Sequence, residues 1–136
     1  MDRLIHAMPV IAAVACGGAI GALARFGISQ AVAGSRIGTA FPVATFIANI
    51  AGCLAIGFCF VWLGERGAGS PALRSGIQIG FLGALTTFST YSLESLNLLV
   101  DRQYGYAAAN ILGSVVLGLA AAYLGIISGR AIFSTG

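Results

Sequence analysis

In GFLGALTTFSTYS, residues 80–92, an apolar segment turns abruptly polar: six of the last seven residues carry a hydroxyl, and Phe88 is the one that does not. Thr86, Thr87, Ser89, Thr90 and Ser92 follow no single helical face. A ring of polar side chains around a helix suits lipid poorly. It fits a break in the helix, which is tolerated at membrane depth only where protein or water receives the freed backbone groups. Gly80 and Gly83 ease such a break, and residues 83–87 are where it is expected.

The rest of the chain places this stretch in a bilayer. Of 136 residues, 58% are hydrophobic and only 8% charged, with a mean hydropathy of +0.95, whereas soluble domains carry about 25% charged residues. One four-helix transmembrane domain over residues 1–136 is expected, with spans at 4–24, 42–63, 73–100 and 106–127, since each crossing needs about 20 apolar residues. The first span ends at Arg25 and holds Gly17 and Gly21, a spacing that lets helices approach closely. Pro42 opens the second span, where a missing donor costs little. Residues 64–71 are dense in turn formers and charge, and make the clearest loop. The third segment is purely apolar only as far as Leu85, and it reaches spanning length by running through the hydroxyls to Val100. Ala13, Val14, Ala15 and Cys16 resemble a lipoprotein cleavage box, but the apolar run continues to Ala24, too long for a signal core.

The seven arginines lie singly, which argues against a nucleic-acid surface. With alternating connections on opposite sides of the membrane, Arg3, Arg66, Arg74 and Arg130 face Arg25, Arg36 and Arg102. Four against three is almost no orienting bias. Such a chain can insert both ways and pair as an antiparallel homodimer, and four helices enclose so little space that a pore needs the second copy. His6 is the single histidine, at the outer end of the first span, and no acid lies in the middle of an apolar segment. Neither an acid–base pair nor a metal-ligand cluster can be assembled, so the chain is not read as an enzyme. Cys16, Cys53 and Cys59 sit in apolar segments and read as packing residues.

The polar residues that remain are candidates for a path. Asn49, inside the second span, either bonds another helix or offers its two amide donors to an anion. Asn110 and Ser114 share one face of the last span and carry the same alternatives. Phe88 and Tyr91, three apart, can stack in a core or turn their positive ring edges to an anion. Arg25 and Glu94 fall near interfaces and are candidates for a vestibule. Donors without cations suit fast anion passage.

Residues 80–94, together with GALARF at 21–26 and TFIANIAG at 45–52, closely resemble the Fluc (CrcB) fluoride channels of bacteria, and the likeness covers all four spans. The resemblance implies a multi-pass protein of the bacterial cytoplasmic (inner) membrane. In that family a dual-topology, antiparallel homodimer forms two pores that export fluoride passively and relieve its toxicity. It implies a structural sodium ion at the dimer centre, held by backbone carbonyls of Gly83 and Thr86 at the broken third helix. Asn49 is then the pore amide, Phe88 and Tyr91 the aromatic box, and Thr87, Ser89, Thr90 and Ser114 the hydroxyl donors. The family usually has a second Phe where this chain has Tyr91. Two other readings compete: a small multidrug-type cation exporter, which needs a carboxylate that residues 4–24 lack, and a non-transporting assembly subunit whose polar residues only join helices.

Overall fold

A computed structural model describes residues 2–33 and 40–133, all of whose regular structure is helical. The connection that holds Arg36 and the side chain of His6 lie outside the described residues. Helix α1 runs Asp2–Ala33, α2 runs Val43–Cys59 and continues as wider π turns to Glu65, and α6 runs Tyr104–Phe133. These contribute three stretches long and apolar enough to cross a membrane: Ala7–Ala33, Val43–Glu65 and Tyr104–Phe133. The third helix in chain order is built in pieces. It consists of α3 at Pro71–Ser75, a π-helical continuation over Gly76–Leu82, a short α4 at Gly83–Leu85 and, after an interruption, α5 at Phe88–Val100.

Helix α1 does not stop at Arg25, where hydropathy ends the first span, but continues to Ala33. One cation is no barrier to a helix whose flanking residues remain good helix formers, and Ser29 folds its hydroxyl back onto the Arg25 carbonyl at 3.1 Å. α1 packs on the third helix through small residues. A Cβ on Gly17 would overlap the Gly76 carbonyl, and one on Gly21 would overlap that of Phe81. In a bilayer, where lipid is as apolar as leucine, this backbone proximity supplies the attraction between helices. α2 and α6 meet in the same way, with Gly57 against Ala122 and Gly125 against Leu54.

Turn chemistry sets the ends. Gly67 (φ 65°) and Gly69 (φ 80°) take left-handed conformations after α2. Ser70 then caps α3 by accepting from the Leu73 amide at 3.2 Å, with Pro71 in the first turn. α5 ends in a Schellman arrangement: Gln103 N–H reaches the Leu98 carbonyl at 2.8 Å and Arg102 N–H the Leu99 carbonyl at 3.1 Å. Arg102 occupies the position usually held by glycine, at φ 58°. The protein core is small, centred on Cys59, Leu63, Leu82 and Leu85. Large apolar side chains such as Leu119 (70% exposed) and Val100 (72%) face outward, the distribution expected of a chain whose solvent is lipid.

Candidate functional site

The interruption of the third helix falls on two threonines rather than on the glycines. Gly83 is helical (φ −64°, ψ −33°), whereas Thr86 (φ −83°, ψ 155°) and Thr87 (φ −149°, ψ 125°) are extended. Gly80 has a different task, a close approach to α1 at the Val14 carbonyl. Threonine suits the break because its side chain replaces lost backbone bonds. Thr86 sends both its N–H (3.0 Å) and its hydroxyl (2.9 Å) to the Leu82 carbonyl. The Thr87 hydroxyl caps α5 by accepting the Thr90 amide at 3.2 Å, and it donates to the Thr90 hydroxyl at 3.1 Å.

Asn49 completes the break from the neighbouring helix. Its Oδ1 accepts the Thr87 N–H at 2.8 Å, and its Nδ2 donates to the Thr87 carbonyl at 3.2 Å. One side-chain amide thus serves both backbone groups of an extended residue, the condition under which non-helical backbone survives at membrane depth. The second Nδ2 hydrogen is left over. Gly52, one turn along α2, is without a side chain because Thr86 Cγ2 fills that space.

Around this junction lies a cleft of about 410 Å³, lined by α2 (Asn49, Gly52, Cys53, Ile56), by the third helix on both sides of the break (Gln78, Leu82, Gly83, Thr86, Thr87, Phe88, Tyr91) and by α6 (Ser114, Val115). Phe88 is 79% exposed, and its ring centroid lies 5.7 Å from that of Tyr91 at an interplanar angle of 41°. The Tyr91 hydroxyl points to the Ile111 carbonyl of α6 at 3.4 Å. Ser114 Oγ is buried with no partner among the described residues. No arginine or carboxylate belongs to the lining.

The other sequence-selected residues distribute around this cleft. Ser89 is exposed in the first turn of α5, its hydroxyl 3.4 Å from that of Thr87, and neither it nor Thr90 is among the lining residues. Glu94 stands off the cleft and accepts the Thr45 hydroxyl at 2.8 Å, with its second oxygen buried and unpartnered. Arg25, on α1, is half-buried and also off the lining. Asn110 is 1% exposed and donates to Ser95 Oγ at 2.9 Å, joining α6 to α5 as interhelical glue. Among the lining residues, Cys53 had been read as packing and Gln78 was passed over by sequence reasoning. Gln78 carried a signal, as an amide within an otherwise apolar run. No group of three metal-ligating side chains occurs among the described residues.

The chain matches a family profile described as "CrcB-like protein, Camphor Resistance (CrcB)" over residues 12–126. It is 46% identical over 122 residues to a protein of Magnetococcus marinus named "Fluoride-specific ion channel FluC", covering 90% of this chain and 98% of that one. It is 43% identical over 125 residues to the protein of the same name from Aquifex aeolicus, covering 92% of this chain and 100% of that one. The Stutzerimonas stutzeri protein of that name is 46% identical over 118 residues, covering 87% and 94%.

Proposed function

We propose, from the premise that this chain belongs to the CrcB/FluC family of fluoride-specific ion channels, that it conducts fluoride passively through the cleft at the broken third helix. In a cell this would carry fluoride outward across the cytoplasmic membrane and relieve its toxicity. The observation that carries the assignment of the path is the convergence of spare donors where no cation sits. The unused Asn49 Nδ2 hydrogen and the unpartnered Ser114 hydroxyl share one cleft with the exposed Phe88 ring. Stripping water from a small anion costs on the order of 20 kcal/mol in the idealised Born limit. Hydrogen-bond donors and ring edges replace part of that hydration without the deep well that an arginine would make. Thr87, Ser89 and Thr90 form a hydroxyl cluster at the head of α5, from which a second-tier donor to the same ion is available. Arg25 and Glu94 are assigned to the approaches rather than to the path.

The working unit in this reading is an antiparallel homodimer with two pores. Its support is the exposed third-helix surface at Gly83 and Ile79 and the near-even arginine distribution. A central sodium ion fits the same surface. In an unbroken helix the Gly83 carbonyl would accept the Thr87 N–H, which Asn49 takes instead. The Thr86 carbonyl would accept the Thr90 N–H, which goes to the Thr87 hydroxyl. Two carbonyl oxygens per chain are thereby freed to face a second copy, and neutral carbonyl oxygens are the donors that suit a small hard cation. Sodium held there would supply fixed positive charge and tie the subunits together.

The test is efflux from liposomes read with a fluoride electrode. Purified protein is expected to release fluoride down its gradient and to retain chloride, and equal fluxes of the two would refute the assignment.

A further inference from the structure

The cleft is longer than the cluster of donors around Asn49. α2 contributes Asn49, Gly52, Cys53 and Ile56, one stripe of a helix, and from Asn49 to Ile56 it spans roughly 10 Å by the rise per residue. The short connection after α2 returns the third helix antiparallel, so Thr87 lies beside Asn49 and Gln78 belongs to the far end. There Ile56 and Ile77 pack on the same core of Cys59 and Leu82. Between the two ends the walls are Gly52, Cys53 and Leu82, which offer no strong donor.

Gln78 is half-buried on this lining, and its side-chain amide has no hydrogen-bond partner among the described residues. An unbonded amide inside a membrane helix is costly, and a leucine would fill the position without that cost. One turn toward the surface on the same helix, Arg74 is half-buried with its Nε unpartnered. The acid at the end of α2, Glu65, is paired with Arg130 and not with Arg74. The far end of the cleft therefore has a lone amide, with the Arg74 cation one turn beyond it toward the connection.

Resting on the reading of the cleft as a fluoride path, we propose that Gln78 is a further ion-contacting residue, whose side-chain N–H groups receive fluoride arriving from the Arg74 side before it reaches Asn49. The amide offers two donors and no charge, so it shares in dehydrating the ion without holding it.

The experiment uses the full chain in liposomes with a fluoride electrode, alongside size-exclusion profiles of each variant. Fluoride efflux by the unsubstituted protein tests the channel reading by itself, so its absence is distinguishable from failure of this inference. Given that efflux, Gln78→Leu is expected to lower it ~10-fold or more, the equivalent of one hydrogen bond to an ion. Gln78→Glu, nearly the same shape, places a carboxylate in the approach and is expected to lower efflux further with the assembled form intact. Gln78→Asn keeps an amide and is expected to stay within about threefold of the unsubstituted rate, because a neutral donor lost and regained at slightly longer reach is a small term. Unchanged efflux from assembled Gln78→Leu or Gln78→Glu overturns the proposal, and a Gln78→Leu chain that fails to assemble leaves Gln78→Glu to decide.

Discussion

Replacing Asn49 by Asp separates the two jobs of one side chain. The change keeps the shape and keeps Oδ1, which accepts the Thr87 N–H at 2.8 Å, so that bond becomes charge-assisted and the cap on the break is retained. It removes both Nδ2 donors, one of which serves the Thr87 carbonyl at 3.2 Å. That carbonyl keeps its bond from the first turn of α5 but loses its second donor and faces a carboxylate oxygen, a cost of about 1–3 kcal/mol. The ion suffers more. A fluoride passing ~4 Å from the new charge is repelled by about 4 kcal/mol at an effective dielectric near 20, which at ~1.4 kcal/mol per decade is close to a thousandfold. The expected outcome is a protein that purifies as the same assembled species, with somewhat lower thermal stability in detergent, and with fluoride efflux reduced by about three orders of magnitude. Efflux within a few-fold of the unsubstituted rate, from a correctly assembled protein, would refute both the placement of Asn49 on the path and the calculation.

Three further outcomes are expected. Tyr91→Phe removes only a long bond of 3.4 Å to the Ile111 carbonyl, so efflux should stay near the unsubstituted rate and stability should fall by no more than ~1 kcal/mol; a tenfold loss of efflux would place the hydroxyl on the ion path. Arg102→Gly relieves a left-handed residue at φ 58° and should raise the thermal unfolding midpoint, by the equivalent of about 1 kcal/mol; a lowered midpoint would show that the arginine side chain contributes more than its backbone costs. Gly21→Val drives a side chain into the Phe81 backbone and should destabilise by ~3 kcal/mol or more, seen as loss of the assembled peak in size exclusion, whereas an unaltered peak would contradict the α1 contact.

Much of this was legible in the residues themselves. The aperiodic hydroxyls announced an interruption, and the spacing of Gly17 and Gly21 announced a close helix contact, because both depend on local chemistry. The position of the break was less legible. Gly83 has the conformational freedom to bend, yet it stays helical, because Thr86 and Thr87 can cap what they break and Asn49 can pair with the freed groups. That pairing joins residues 38 apart in sequence, and no local pattern encodes it. Gln78 was missed for a related reason: a solitary amide in an apolar run has no periodicity, and only the packing of α2 shows which way it looks. The continuation of α1 beyond Arg25 was not legible either, because a single cation ends an apolar run without ending a helix.

The two-piece third helix also bears on how the protein is made. Helices α1, α2 and α6 run unbroken through their apolar stretches and can enter a bilayer one at a time as they emerge from the ribosome. The third cannot, because the Thr87 N–H is answered by Asn49 of α2, and an unanswered amide would face hydrocarbon. Its entry into the bilayer is therefore tied to docking against a helix already there. A chain with Asn49→Leu should dwell longer at the insertion machinery and fall more readily to quality-control proteases, a defect in biogenesis separate from any defect in conduction.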